Sequence, residues 1–253
     1  MGQALVACVL DADDLALAAA LDVVGAPSVG RDAGAALGRP SGVVVTSDLD
    51  AALARADVLI DFTRPEGTLA HAAACERAGV ALVAGTTGLA AAHKAAIAGH
   101  ARAIPIVLSA NMSVGVNVLA DLVTRAARAL GEAYDIEIVE MHHRHKVDAP
   151  SGTALLLGEA AAAGRHVSLP DVADRGRDGI TGARRHGDIG FASLRGGSVA
   201  GDHMVVFAGE GERIELGHRA ETREIFARGA VKAALWLAGR APGRYRMGDV
   251  LGL

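Results

Sequence analysis

Short apolar runs rich in β-branched residues alternate with alanine- and leucine-rich segments along the first half of the chain. Four runs have the length, apolar character and flanking turn residues of buried strands: 42–47, 57–62, 80–84 and 104–108. Between them, 66–78 and 89–101 have helical character, and Gly79 is placed to end the first of these helices. Strands that alternate with helices across short connections predict a parallel, doubly wound sheet.

The second half of the chain has a different pattern. Helices are predicted at 114–131, 152–164 and 224–239, and strands at 135–140, 190–195, 203–208 and 212–218. The Gly- and Arg-rich stretch 174–189 has no hydrophobic periodicity, which indicates a loop that is free to move. These elements favour a mixed, largely antiparallel sheet with helices packed on it.

We therefore predict an α/β protein with an N-terminal Rossmann-like, doubly wound parallel sheet and a C-terminal α+β domain. Residues 1–113 are expected to form a dinucleotide-binding domain, which the C-terminal helix and tail 224–253 complete. Residues 114–223 are expected to form a substrate-binding and oligomerisation domain.

Composition narrows the classes of function. The 253 residues are 51% hydrophobic and 21% charged, with a net charge of −4, so nothing favours binding to nucleic acid or to an anionic membrane. Cys8 and Cys75 fit neither a metal-binding spacing nor a disulfide framework. No apolar run has the length of a membrane span and no signal peptide is evident, so we expect a soluble cytoplasmic protein.

The loops that follow the predicted strands are candidate binding loops, because ligands of open parallel sheets bind beyond the carboxyl ends of the strands. Three of these loops carry small or hydroxylated residues: 61–68 (DFTRPEGT), 85–88 (GTTG) and 109–113 (SANMS). Turn chemistry alone explains any one of them. Three along one edge of a sheet favour a cofactor crevice.

The start of the sequence departs from the usual dinucleotide-binding pattern of strand, Gly-rich phosphate loop and helix. A helix is predicted at 2–10, followed by a strand that ends in Asp22, which has the position of a ribose-binding carboxylate. No phosphate loop precedes the helix. We expect that roughly fifteen upstream residues, with the first strand and most of the Gly-rich loop, are missing from this sequence.

The densest group of ionisable residues lies at 140–153, EMHHRHKVDAPSGT. A metal site is disfavoured because Arg144 and Lys146 lie among the histidines and would repel a cation. A nucleic-acid site is disfavoured because only 3% of the residues are aromatic. A solvated strand end remains the simplest alternative.

Acid catalysis combined with anion binding fits this group better. If the strand stayed extended, His142, Arg144 and Lys146 would share one face, and His142 and Lys146 would offer a proton donor and a cation there. Residues 151–153 would then begin a helix whose free N–H groups bind a carboxylate or phosphate. The sequence thus predicts a small anionic substrate that carries carboxylate groups.

Residues 137–154 (EIVEMHHRHKVDAPSGTA) resemble the signature of the 4-hydroxy-tetrahydrodipicolinate reductase family, also called dihydrodipicolinate reductase, of the diaminopimelate route to lysine. The similarity extends over most of the chain, through 60–71 (IDFTRPEGTLAH), 85–88 (GTTG), 110–119 (ANMSVGVNVL), 189–203 (IGFASLRGGSVAGDH) and 226–237 (FARGAVKAALWL). Together these motifs are highly specific.

The resemblance implies a role for each matching residue. His142 is the implied catalytic acid/base, and Lys146 is the implied proton donor to the substrate. The implied ligands of the substrate carboxylates are His143, Ser151, Gly152 and Thr153. The implied cofactor-binding residues are Asp22 at the adenosine ribose and, at the nicotinamide end, Gly85, Thr86, Thr87, Ser109, Ala110, Asn111 and Met112. No metal is implied.

The resemblance also implies hydride transfer from NADH or NADPH to C4 of a dehydrated cyclic imine, and a homotetramer assembled through the second domain. Asp22 would repel a 2′-phosphate and Val23 supplies no cation, so we expect NADH to be preferred, although Arg31 has the length to reach the site. Two other functions stay open. They are a different two-domain nicotinamide oxidoreductase and a non-catalytic assembly protein that does not bind the cofactor.

Overall fold

The computed structural model describes residues 1–253, and the chain divides into two compact units. The first unit comprises Met1–Val114 and Glu224–Gly252, and the second comprises Gly115–Arg223 together with Leu253. Each unit contains its own buried apolar clusters.

Helices and strands alternate through most of the chain. The helices are α1 Gly2–Leu10, α2 Leu49–Leu53, α3 Pro65–Ala78, α4 Ala91–His100, α5 Val114–Leu130, α6 Gly152–Gly164, α7 Leu169–Val172, α8 Glu224–Leu237 and α9 Met247–Leu251. The strands are β1 Ala20–Leu21, β2 Val45–Thr46, β3 Val58–Asp61, β4 Ala81–Ala84, β5 Pro105–Leu108, β6 Asp135–His142, β7 Ala173–Asp174, β8 Ile189–Arg195, β9 Gly201–Ala208, β10 Arg213–Ala220 and β11 Gly243–Tyr245.

The main sheet of the first unit has four parallel strands in the order β11–β5–β4–β3. Strands β1 and β2 form a separate parallel pair, so β3 is an edge of the larger sheet. Alternate residues of the central strands are buried on opposite faces. Leu82 and Ile106 pack in a cluster with residues of α3 and α4, whereas Val83 and Val107 pack with residues of α8 and α9. Burial on both faces explains the continuously apolar strands and confirms the predicted doubly wound parallel sheet.

The boundaries differ from the predictions where elements are short. Of the predicted strand 42–47, only Val45–Thr46 is paired as a strand, because Gly42 takes a φ of 73° and the Asp32 carboxylate accepts hydrogen bonds from the backbone before it. Helices α2, α7 and α9 and strand β11 were not predicted, because helices of four or five residues are too short to show a helical period and β11 has only three residues. Gly79 ends α3 with a φ of 70°, as predicted.

The sheet of the second unit has five strands in the order β10–β9–β6–β8–β7. Strand β6 is antiparallel to β9 and parallel to β8, which makes the sheet mixed and confirms the α+β class predicted for this half. On one face, Ile136, Ile138, Val205 and Phe207 pack in a cluster with residues of α5 and α6. This face is the core of the unit.

The Gly- and Arg-rich stretch has little regular structure, as predicted, but it is attached to strand β6 by two of its arginines. Arg184 donates hydrogen bonds to the carboxylates of Asp135 and Glu137 at 2.7 and 2.9 Å and to the carbonyl oxygen of Ile136 at 3.1 Å. Arg177 also pairs with Glu137, at 2.7 Å. The stretch is therefore held against β6 by charged side chains that hydrophobic periodicity does not detect.

None of the helices is both long enough and apolar enough to cross a membrane.

Candidate active site

The core face of β6 changes from apolar to polar along the strand. Ile136 and Ile138 are followed on the same face by Glu140 and His142, which are 1% and 8% exposed. A buried carboxylate is costly unless it is paired and hydrogen-bonded, so its partners define the site.

Both carboxylate oxygens of Glu140 are fully engaged. Oε2 accepts from Nδ1 of His142 at 2.6 Å and from Arg195 at 2.8 Å. Oε1 accepts from Arg195 at 2.8 Å and from the backbone N–H of Ser151 at 3.2 Å. Arg195 also donates to the carbonyl oxygen of Asp148 at 2.6 Å. Burial raises the pKa of Glu140, but the hydrogen bonds from Arg195 and His142 outweigh it and hold the pKa at about 2.

His203 on β9 is a second buried imidazole in this cluster. Its ring lies edge-to-face against that of His142, with centroids 5.0 Å apart. Burial, and after it the neighbouring His142, lower the pKa of His203 to about 4, so the ring is neutral at pH 7. The Nε2 atom of His203 lies 3.0 Å from the Ser151 hydroxyl, while its buried Nδ1 has no partner.

The chain does not stay extended after His142, so the condition under which His142, Arg144 and Lys146 would share one strand face is not met. Strand β6 ends at His142, and the N–H of Lys146 donates to the carbonyl oxygen of His143 at 3.1 Å, which closes a turn. The turn returns Lys146 to the cluster, where its charge contributes to lowering the pKa of His203. Lys146 pairs with Asp148 at 2.7 Å, and this hydrogen bond lowers the pKa of the Asp148 carboxyl. His143 is half-buried beside the turn.

Helix α6 begins beside Glu140. Ser151 is its N-cap, and the hydroxyl oxygen of Ser151 accepts from the N–H of Ala154 at 3.1 Å. Gly152 is exposed, and a Cβ atom added to it would meet nothing within 4 Å. Thr153 follows and is half-buried. A helix start with an exposed glycine in its first turn is a suitable place for an anion.

In the first unit, the loops after β3, β4 and β5 are joined by backbone hydrogen bonds at the carboxyl edge of the sheet. The N–H of Gly85 donates to the carbonyl oxygen of Asp61 at 2.8 Å, and the N–H of Ser109 donates to that of Ala84 at 3.1 Å. Gly85 lies against the ring of Phe62, since an added Cβ atom would approach that ring to 2.4 Å. The three predicted binding loops are therefore neighbours, with a glycine where backbone and ring meet.

The remaining cofactor residues of these loops differ in exposure. Thr86 is 3% exposed and shares a hydrogen bond of 2.8 Å with the hydroxyl of Thr68, whereas Thr87 is exposed. Ala110 is exposed as well, while Asn111 is 7% exposed. Small side chains, amides and hydroxyls of this kind are suited to a polar ligand.

The loop after β5 contains two further predicted residues. The hydroxyl of Ser109 donates to the carbonyl oxygen of Asn111 at 2.7 Å, and Oδ1 of Asn111 accepts from the N–H of Ser113 at 2.9 Å. The side chain of Met112 is only 1% exposed and belongs to the apolar core beside α8. Met112 therefore supports the loop from beneath, with its side chain in the core.

Asp61, which ends β3, was not predicted to bind anything. It is 2% exposed, one of its oxygens accepts from the N–H of Thr63 at 2.9 Å, and the other is buried without a partner. Burial raises its pKa, but the neighbouring His71 imidazole, with Nδ1 3.5 Å from Oδ1, and the bond from Thr63 lower it overall. The ionised carboxylate lies beneath the loops that carry Phe62 and Gly85.

Asp22 lies directly after β1, at its carboxyl end, as a ribose-binding carboxylate would. Its two oxygens accept from the Ser28 hydroxyl at 2.5 Å and from the N–H of Val23 at 2.8 Å. The hydrogen bond from Ser28 is the main reason that the pKa of Asp22 is lowered. Val23 is exposed and apolar, so it adds no positive charge.

Three residues of the second-unit cluster were not predicted from the sequence: Glu140, Arg195 and His203. Glu140 left a signal, because it continues the alternation of Ile136 and Ile138 and is thus a charged residue on a core face. Arg195 and His203 left none. They reach the cluster only through the pairing of β8 and β9 with β6. No group of three or more His, Cys, Asp or Glu residues is arranged to share a metal ion.

Two family models match nearly the whole chain. The model described as dihydrodipicolinate reductase, N-terminus, matches residues 1–112, and the model described as dihydrodipicolinate reductase, C-terminus, matches residues 115–251. Curated relatives named 4-hydroxy-tetrahydrodipicolinate reductase include those of Parvibaculum lavamentivorans, 57% identical over 255 residues, and Rhodopseudomonas palustris, 56% identical over 254 residues. Each alignment covers 100% of this chain and 94% of the relative.

Solved structures share the fold. The dipicolinate-bound dihydrodipicolinate reductase from Paenisporosarcina sp. TG-14 superposes with a TM-score of 0.76 at 24% identity, over 97% of this chain and 92% of that one. An amine dehydrogenase from Mycobacterium smegmatis superposes with a TM-score of 0.60 at 13% identity, over 96% and 91% of the two chains. Because both of these enzymes share the fold, the family is shown by the family models and the curated relatives: the chain belongs to the dihydrodipicolinate reductase family.

Proposed function

We propose that this protein reduces 4-hydroxy-tetrahydrodipicolinate, by way of its dehydrated cyclic imine, to tetrahydrodipicolinate in the diaminopimelate route to lysine. The observation that carries the proposal is the buried pair of Glu140 and His142 beside the exposed start of α6. It unites a proton-transfer group with an anion-binding helix start within the segment that matches the reductase C-terminal model.

His142 and Lys146 are the proposed proton-transfer groups. The reaction adds one hydride at C4 and one proton, and the proton must come from a group at the substrate. Lys146 lies at the end of the turn after β6 and can release a proton and regain it from solvent, because it is partly exposed. His142 is the proposed acid/base, with its Nδ1 held by Glu140.

The proposed ligands of the substrate carboxylates are His143, Ser151, Gly152 and Thr153. The first turn of α6 offers backbone N–H groups and the positive end of the helix dipole, which stabilise a carboxylate. Lys146, which pairs with Asp148, adds a positive charge from the turn after β6. A dicarboxylate fits two such groups better than a monocarboxylate does.

A nicotinamide dinucleotide supplies the hydride when it is bound. The proposed contacts in the first unit are Asp22, Gly85, Thr86, Thr87, Ser109, Ala110, Asn111 and, through its backbone, Met112. The fit rests on the joined loops at the carboxyl edge of the sheet, where Gly85 allows the Phe62 ring to pack against the backbone. Thr86 holds its place through the bond to Thr68.

NADH is the proposed preferred cofactor over NADPH. The ionised Asp22 accepts hydrogen bonds from a ribose hydroxyl and repels a 2′-phosphate, and its neighbour Val23 brings no cation. The test is the ratio of kcat/KM for NADH to that for NADPH. We expect this ratio to exceed ~10, and to fall in Val23→Arg. A native ratio below one would contradict the preference, and Arg31→Ala would then identify whether Arg31 binds the phosphate.

A homotetramer in the cytoplasm is the proposed working form. The sheet face of the second unit opposite its core carries half-exposed and exposed apolar side chains: Val139, Met141, Ala192, Leu194, Met204 and Val206. Leu194 alone is 51% exposed. Apolar faces of this kind favour burial between subunits. Mass measurement in solution tests this, and Leu194→Lys should dissociate the assembly; a monomeric native protein would contradict it.

One experiment tests the activity itself. Oxidation of NADH is followed with substrate generated in the same cuvette by the preceding synthase, and cofactor binding is titrated separately. Substrate-dependent oxidation supports the proposal. Cofactor binding without oxidation would favour a different nicotinamide oxidoreductase, and oligomers that bind no cofactor would favour the assembly protein.

A further inference from the structure

Glu140 is the most buried charged side chain beside His142, and the proposed chemistry gives it no direct contact with substrate. Its exposure is 1%, and it follows Ile136 and Ile138 on the core face of β6. A carboxylate in such a place costs free energy unless several donors bind it. A buried, ionised carboxylate beside a proposed proton-transfer group points to a role in the reaction as well as in stability.

The donors bound to Glu140 come from three separate segments. His142 is two residues along the same strand, Arg195 ends β8, and Ser151 precedes α6. Glu140 thus joins the proton-transfer imidazole to the helix start that is proposed to bind the substrate carboxylates. A shift of this one side chain would disturb both.

The ionisation of Glu140 fixes the proton arrangement of His142. A carboxylate is an acceptor only, so the His142 nitrogen that faces it, Nδ1, must carry the hydrogen. Nε2 then remains for proton exchange. Gly201 leaves room beside Nε2, because a Cβ atom added to this glycine would lie 3.0 Å from Nε2.

We propose that Glu140 is a positioning residue, which holds the Nδ1–H tautomer of His142 and ties that ring to the start of α6 through Ser151. This inference rests on the proposed function for its kinetic test. Arg195 completes this arrangement. Its guanidinium cation neutralises the charge of Glu140 and donates one hydrogen bond to each carboxylate oxygen, which leaves each oxygen a second lone pair for His142 or Ser151.

The electrostatic surroundings of the Glu140–His142 pair come from every neighbouring element. They are Arg195 from β8, His203 from β9, His218 from β10, and Lys146 and Asp148 from the loop after β6. Glu140 itself is the negative group in contact with the ring of His142. Its removal should therefore disfavour the imidazolium and move the high-pH fall of activity to lower pH.

Glu140→Gln tests the proposal, because it keeps the shape and removes the charge. We expect kcat to fall about 100-fold, with the high-pH limb of the profile at lower pH. Glu137→Gln is the matched control: it makes the same change on the same strand, and it breaks pairs with Arg177 and Arg184 on the opposite face. The control should keep kcat within about twofold and the pH profile unchanged.

A double-mutant cycle separates positioning from general stability. In a His142→Ala background, Glu140→Gln should change kcat by less than about twofold. The ring through which the charge acts is gone, and the amide oxygen of glutamine still accepts from the N–H of Ser151. An undiminished 100-fold effect in that background, or native kinetics in Glu140→Gln, would overturn the proposal.

Nitrogen NMR of the imidazole side chains provides a test without catalysis or a folded variant of Glu140. The substrate-free native protein should show His142 as the Nδ1–H tautomer, with the signal assigned by its loss in His142→Gln. An Nε2–H tautomer would overturn the proposal. Native protein with the expected tautomer but no reductase activity would refute the proposed function and leave the positioning role standing.

Discussion

The two units hold their candidate site residues by different means. In the second unit, side chains hold one another: Glu140 is bound by His142 and Arg195, and Ser151 lies against His203. In the first unit, backbone bonds join the neighbouring loops, as where Gly85 donates to the carbonyl oxygen of Asp61, and uncharged side chains such as those of Thr86 and Asn111 add neutral hydrogen bonds.

The difference separates two kinds of sensitivity. Buried side-chain networks lose much free energy of stabilisation when one charge or tautomer changes, since the remaining members stay buried without their hydrogen-bond partners. Loops that are joined by backbone hydrogen bonds tolerate most side-chain substitutions. Their structure changes mainly when a larger side chain is introduced where there is no space for it. Substitutions in the second unit should therefore affect chemistry and acid stability, and those in the first unit should affect cofactor affinity.

The largest effect is expected for His142→Ala. We expect kcat to fall by about 1,000-fold, because the proton-transfer group is lost. The dissociation constant for NADH should stay within about twofold, since the proposed cofactor contacts lie in the first unit. Steady-state kinetics and fluorescence titration measure the two quantities. His145→Ala, an exposed neighbour, is the control; an equal loss in both variants would sink the assignment.

Acid should destabilise the second unit through His203. Its pKa is lowered to about 4 in the folded protein against an ordinary 6.5, so the unfolded chain binds the extra proton between these values. Stability is complete above pH 6.5 and falls as the pH drops toward 4, by about 3 kcal/mol in total. Most of this fall precedes pH 4.5, below which Glu140 begins to contribute.

Denaturant unfolding at pH 7 and pH 4.5 measures this effect. His203→Gln should remove most of it, and His218, whose pKa burial also lowers, should account for the remainder. His186→Gln, at an exposed histidine of the same unit, should leave the pH dependence unchanged. If the free energy of unfolding of His203→Gln falls as steeply as that of the native protein, another group is responsible.

Gly85→Ala probes the first unit. The added methyl group would lie 2.4 Å from the Phe62 ring, so the loop or the ring must move. We expect the dissociation constant for NADH to rise about tenfold, with kcat at saturating NADH within about threefold. Gly99→Ala, in α4 with open space around it, is the control. A lower kcat with unchanged affinity would contradict the division of labour.

Ser151→Ala has the smallest expected effect on stability. It removes the N-cap bond to the N–H of Ala154 and the contact with Nε2 of His203, which together cost about 1 to 2 kcal/mol of unfolding free energy. Ser168→Ala is a matched control, because Ser168 precedes α7 without a side-chain cap bond. Thermal unfolding compares the two variants. Equal shifts would mean that the Ser151 cap contributes nothing measurable.

Local chemistry made part of this structure predictable. Helix α6 begins at Gly152 and ends at Gly164, as predicted, because Ser151 supplies a cap and the following residues favour helix. Strand β6 was predicted from its alternation and extends two residues further, to His142. Period and capping are properties of adjacent residues, so one sequence suffices to detect them.

The remainder depends on long-range pairing. Arg195 reaches Glu140 only because β8 lies parallel to β6 with His142 opposite Arg195, and His203 is opposite Glu140 on β9. The turn at Lys146 depends on backbone bonds from His143 and Arg144 to a loop more than fifty residues away. No local pattern encodes such register.

Strand β6 carries acids on both faces, and this affects how the sheet can assemble. Glu140 meets Arg195 on one side, while Glu137 meets Arg177 and Arg184 on the other. Because side chains alternate, sliding β6 by one residue would exchange the faces, place Glu137 in the apolar interior and leave Arg195 without its acid. The arginines thus favour the native register of β6, because a sheet with shifted register would contain a buried acid and an arginine without an ion-pair partner.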